Sequence, residues 1–133
     1  MSGPIPARWA PYLLSILRVV AAFLFVAHGT LKFFGFPAVE VRGGVPLVSL
    51  LGLASMIEMV GGTLMFFGLF TRPVAFVLAG EMAAAYFIGH APRGFWPLVI
   101  RGEPAVHLCF TWLYLAAAGA GPWSLDARRS QRP

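Results

Sequence analysis

A chain of 133 residues with 59% hydrophobic residues, 11% charged residues and a mean hydropathy of +0.78 holds too few polar groups to build an aqueous surface. The composition therefore reads as an integral membrane protein, and the net charge of +5 belongs to span ends and anionic lipid headgroups rather than to nucleic acid. Cys109 is the single cysteine, which excludes an intramolecular disulfide, a Cys-x-x-Cys redox pair and a cysteine metal cluster.

The start, Met1 to Pro11, carries Pro4, Pro6 and Pro11 with Trp9 and suits an irregular interfacial lead-in with an aromatic anchor. A hydrocarbon core of ~30 Å needs about 20 residues of helix, and four apolar runs are read as spans: Tyr12–Phe34, Leu47–Phe70, Pro73–Gly89 and Pro104–Ala120. The first run is too long for a secretory signal, lacks an Ala-x-Ala cleavage site and carries Arg18, so it reads as a permanent helix. The predicted architecture is all-α, a single transmembrane four-helix bundle.

Between the runs, Gly35 to Pro46 predicts a short external connection, and Thr71, Arg72 and Pro73 predict a tight turn into the third helix. His90 to Glu103 is broken by Pro92, Gly94, Pro97 and Gly102 yet stays apolar through Phe95, Trp96, Leu98, Val99 and Ile100, as an interfacial loop or a lid would. Gly119, Gly121 and Pro122 end the fourth helix, and Trp123 suits the interface. Small residues should carry the packing in lipid: Gly61 and Gly62, then Ala75, Ala79 and Ala83 with Gly80 and Ala84 beside them, then Ala116 and Ala120. Arg8, Arg18, Arg72, Arg128, Arg129 and Arg132 fall on one side of such a bundle, against Lys32, Arg42, Arg93 and Arg101 on the other, which predicts cytoplasmic termini.

The chemistry-bearing residues are polar groups at bilayer depth. A carboxylate there costs ~2.5–3.5 kcal/mol on insertion scales, and Glu58 and Glu81 stand near the middle of successive runs. His28 and Lys32, and again Glu103 and His107, are spaced i, i+4 toward the external ends of the first and fourth runs. Together the six predict a polar column opening outward, with Phe33, Phe34, Tyr86, Phe87 and Trp96 as apolar walls. Lys32 as a snorkelling terminal lysine, Glu103 as a helix cap and the whole set as interhelical hydrogen-bonding glue remain the plainer alternatives.

Three ligands could use the column. A quinone-like molecule ranks first, because imidazole and carboxyl groups can bond its oxygens and exchange protons; a metal held by Glu58, Glu81, His28 and His107 ranks second and lacks a Glu-x-x-His pair. Haem between His28 and His107 ranks third.

The stretches RVVAAFLFVAHGTLKFFGFP from Arg18, IEMVGGTLMFFGLFTRP from Ile57, Gly102–Glu103 and GAGPWSLD ending at Asp126 resemble the DoxX family of small bacterial four-span membrane proteins along nearly the whole chain. The family pattern is carried by His28, Gly29 and Lys32, by Glu58, Gly61 and Gly62, and by Gly68, Leu69, Thr71 and Arg72. Glu81 departs from it, since many members look apolar at the matching place. The resemblance implies an association with membrane redox systems, so the expected function is a redox-associated subunit binding a quinone-like ligand, in contact with the bilayer and with partner subunits of a redox complex. A non-enzymatic assembly subunit is the alternative, and a proton-coupled transporter formed by a homo-oligomer is the third.

Overall fold

Four long helices carry the chain, and most begin or end where the sequence supplies a cap. The computed structural model describes residues 3–38 and 43–131, which leaves part of the predicted external connection, together with Arg42 and Arg132, outside the described residues. Helix α1, Ala10–Phe34, follows a short 3₁₀ turn at Ala7–Trp9 and stops at Gly35, whose left-handed φ of 70° lets its N–H return to the Leu31 carbonyl. Helix α2, Leu50–Phe67, starts three residues later than the apolar run because the Ser49 hydroxyl accepts the Gly52 N–H at 2.9 Å. It ends at Gly68 rather than Phe70, again through a left-handed residue.

Helix α3 spans Thr71–Ala85 and continues as a widened π turn at Tyr86–His90 and a 3₁₀ turn at Ala91–Arg93. Helix α4 spans Glu103–Ala118, with Pro104 in its first turn and Gly119 as its stop, and a short α5, Leu125–Ser130, is capped by Ser124. Among the described residues there is no strand. The stretches Ala7–Phe34, Leu50–Phe67 and Thr71–Arg93 are each long and apolar enough to cross a membrane. The 16 residues of α4 reach ~24 Å at helical rise.

The protein is a helical membrane bundle assembled from two tight pairs. Helix α1 lies along α2 and α3 along α4, whereas α2 and α3 touch over a shorter seam and α1 meets α4 at few points. Glycine sets the first pair: a Cβ on Gly29 would fall 2.9 Å from the Ser55 carbonyl, and one on Gly62 would fall 2.7 Å from Val26. Gly61 faces Leu78 across the seam. Phe25 and Trp112 bridge α1 and α4, their rings 5.3 Å apart and tilted by 70°.

Ala75 and Ala79 are buried as the small-residue pattern predicts, but Gly80 and Ala84 point outward. Phe23, Leu24, Val60, Phe76, Val77 and Phe110 form part of an apolar outer surface suited to lipid. Trp9, Tyr12 and Trp123 gather at the end that holds the termini, with Tyr12 5.4 Å from Trp123, as an interfacial aromatic belt would.

Candidate functional site

Glu58 occupies the middle of α2 on the face that carries Ser55, Gly61, Gly62 and Met65 into the interior, so the helix register forces its carboxyl inward. Lys32 follows Gly29 by three residues, and Gly29 is where α1 presses on Ser55 and Met59. The lysine chain therefore lies toward α2, and its Nζ meets Glu58 Oε1 at 2.6 Å. This is the only ion pair among the described residues. The Glu58 side chain is 3% exposed and that of Lys32 28%, so the pair is sealed on the carboxylate side and reached from the lysine side.

Glu81 stands one turn beyond Leu78, the residue that touches Gly61, and lies within electrostatic range of both Glu58 and Lys32. Glu58 Oε2 and Glu81 Oε2 are both buried without a hydrogen-bond partner. A buried acceptor left unpaired forfeits the full desolvation cost of ~1–3 kcal/mol, more when charged. Two such oxygens beside an ammonium group form an electrostatic cluster with vacant acceptor capacity.

The other three candidates are placed differently. His28 is exposed on the flank of α1, because Gly29 and not its neighbour faces α2. Glu103 and His107 are exposed as well, since the inward stripe of α4 runs through Ala105, Leu108, Cys109, Trp112 and Leu115. The structure thus brings together Lys32, Glu58 and Glu81 and leaves His28, Glu103 and His107 on outer faces. Among the described residues no group of three His, Cys, Asp or Glu converges as a metal site, so the four-ligand set weighed from sequence is not assembled.

Of the expected walls, Phe33 is half-buried and Tyr86 packs on the core, but Trp96 is 68% exposed in the loop before α4. That loop is anchored rather than free: Ile100 is buried, its carbonyl lies 3.2 Å from His90 Nδ1, and Gly102 packs under the Tyr86 ring.

Sequence reasoning placed Arg18 at a span end, facing headgroups, and the structure corrects this. Arg18 is fully buried and its guanidinium donates to the carbonyls of Ala120 at 2.9 Å, Phe66 at 2.6 Å, Trp123 at 2.6 Å and Met65. These oxygens lie at the end of α2 and in the segment after α4, so one cation ties three parts of the chain together. The signal was available in the sequence, because an arginine nearly two turns into an apolar run incurs the same desolvation cost that singled out Glu58. Asp126 does the complementary job nearby, accepting the N–H groups of Phe70 at 2.9 Å and Thr71 at 2.8 Å at the start of α3. Burial pushes its carboxyl up, but those amide bonds and the Arg129 charge outweigh it and hold the group below the usual aspartate value.

The chain is 44% identical to an uncharacterized protein of Haemophilus influenzae, over 90% of this chain and 92% of that one. It is 29% identical to an uncharacterized membrane protein of Mycobacterium tuberculosis, over 87% and 80% of the two chains. It is also 31% identical to CatD of Bacillus subtilis, whose name assigns it provisionally to the oxidoreductases, over 84% and 82% of the two chains. No solved structure matches the chain. The family description DoxX matches residues 13–91, a stretch that includes most of α1, all of α2 and α3 and all three members of the charged cluster, and the chain belongs to the DoxX family.

Proposed function

We propose that the protein is a redox-associated subunit of a bacterial inner membrane, with α4 as a fourth crossing and both termini cytoplasmic, that binds a quinone-like ligand at Lys32, Glu58 and Glu81. The observation that carries this reading is the pair of buried, unpartnered carboxylate oxygens next to a lysine. A ligand with ring hydroxyls would satisfy the two acceptors, and Lys32 can donate to a ring oxygen. Neighbouring carboxyls can also pass protons between them, which ring hydroxyls and ring carbonyls need when they interconvert. The oxidoreductase name of CatD supports the redox association.

The test is equilibrium binding of a benzoquinone and its hydroquinone to the purified protein in lipid nanodiscs. Binding to the parent and at least a tenfold loss in Glu58→Gln, with helical content unchanged, is the expected result. No binding to the parent, or equal binding to the variant, overturns the proposal.

A second reading, a non-enzymatic assembly subunit, draws on the exposed ridge of Phe95, Trp96, Leu98 and Val99. It predicts a stoichiometric partner that copurifies and is lost when Trp96 and Leu98 become serine.

A further inference from the structure

Two hollows in the surface meet at Pro73, where α3 begins. One is an apolar groove of about 420 Å³ between α2 and α3, walled by Met56, Val60 and Leu64 on one side and by Val74 and Val77 on the other, with Pro73 at the end nearer the termini. Val60 and Val77 are 57% and 56% exposed, so the groove opens toward lipid. From Met56 to Leu64 α2 rises ~12 Å, most of one leaflet's half of a ~30 Å hydrocarbon core.

The other hollow, of about 520 Å³, lies at the end that holds the termini, between the start of α3 and the segment after α4, with Phe70, Arg72, Pro73, Asp126 and Ser130 among its walls. Pro73 lines both, so the polar hollow and the apolar groove adjoin there. Arg72 is exposed and donates from Nη1 to the carbonyls of Ala117 and, at 3.4 Å, Ala116, which fixes its guanidinium against the end of α4. Its Nε and Nη2 make no hydrogen bond among the described residues. The Arg129 guanidinium lies 5.0 Å over the ring of Phe70, a second cation held in place by stacking. Asp126 also lines the hollow, but its two oxygens already accept the N–H groups of Phe70 and Thr71. Two guanidinium groups against one bonded carboxylate leave the hollow cationic.

We infer that these hollows together seat one anionic phospholipid, its phosphate at Arg72 and Arg129 and one acyl chain passing Pro73 into the α2–α3 groove. Guanidinium forks match phosphate oxygens, and the charge alone would attract any anion. The groove alone would take any hydrocarbon chain. Their junction at Pro73 selects a molecule that carries both. Glu58 and Glu81 line neither hollow, so the inference is independent of the ligand proposed for them.

The test is native mass spectrometry of the delipidated full chain, titrated with dioleoyl phosphatidylglycerol, with dioleoyl phosphatidylcholine and with glycerol 3-phosphate. The variants are Arg129→Gln, Val77→Trp and, from the opposite wall of the groove, Val60→Trp, each with helical content matched to the parent. Arg8→Gln, at the same end but outside the hollow, is the control. Arg72 is left intact because it also holds the end of α4. Phosphatidylglycerol should bind the parent about tenfold more tightly than phosphatidylcholine, and Arg129→Gln should weaken phosphatidylglycerol alone by about fivefold. Both tryptophan variants should weaken both lipids, and Arg8→Gln neither. Equal affinity for the two lipids, binding of neither, or equal losses in Arg8→Gln and Arg129→Gln overturns the inference. So does unchanged lipid binding in both tryptophan variants, or glycerol 3-phosphate binding as tightly as the lipid, which would make the hollow a free-phosphate site.

Discussion

Lys32 and Glu58 meet at 2.6 Å across the α1–α2 pair, with the carboxylate almost wholly buried and the ammonium group still partly accessible. Breaking a buried pair from one side leaves an uncompensated charge, at a cost of ~3–5 kcal/mol. Lys32→Met should therefore destabilise the protein toward the upper part of that range, and Glu58→Gln less, because Gln stays polar and Lys32 can reach water. The double variant should recover much of the loss. Thermal unfolding in detergent, arranged as a double-mutant cycle, gives the coupling, and additive single losses would contradict it.

Arg18→Met leaves the carbonyls of Met65, Phe66, Ala120 and Trp123 without their donor. With charge-assisted hydrogen bonds worth ~1.5–3 kcal/mol each, the expected loss is about 3 kcal/mol or more. Arg18→Lys should rescue little, because one ammonium group cannot replace a fork that reaches two helix ends. Trypsin cleavage at Arg128 and Arg129 should accelerate in both variants as the segment after α4 detaches.

Asp126 makes the lower edge of the stability–pH profile predictable. Its folded carboxyl titrates below its unfolded value of ~3.9, so its contribution is complete above that value and disappears as the pH falls through the lower folded value. Asp126→Ala should cost ~0.5–2 kcal/mol at neutral pH, as loss of a helix cap does. The variant's profile below pH ~4 should be flatter than the parent's by that amount.

Two glycines in the spans should respond oppositely to alanine. Gly29→Ala places a Cβ against the Ser55 backbone and should cost ~1–3 kcal/mol, because α1 and α2 must separate. Gly80→Ala meets no atom within 4 Å and should be neutral or stabilising by up to ~1 kcal/mol through helix propensity. Thermal unfolding of the two variants side by side checks the assignment of the packed face.

The helices were legible in the sequence because their signals are local. Apolar runs marked the spans, and Gly35 and Gly119 marked two of the stops, whereas Gly68 ends α2 inside a run read to Phe70. The site was legible only in part. Glu58 and Glu81 were found because a carboxylate at depth is costly wherever it points, but the i, i+4 pairs His28/Lys32 and Glu103/His107 could not say which flank faces a partner. That depends on how α1 rotates against α2 through Gly29 and Gly62, a tertiary contact without a sequence period. The role of Arg18 was hidden for a related reason, since its acceptors lie as far as 105 residues away.

The distance between Arg18 and its carbonyls also bears on how the protein is made. Helix α1 enters the membrane ahead of α4, carrying a guanidinium whose acceptors at Ala120 and Trp123 are synthesised 102 and 105 residues later. During elongation that cation must draw on water, headgroups or the insertion machinery, and its permanent partners arrive only after α4 has been translated. Synthesis of the segment after α4 is therefore coupled to the burial of the Arg18 charge, and a ribosome stalled before Ala120 would leave a nascent bundle with that cation short of its partners.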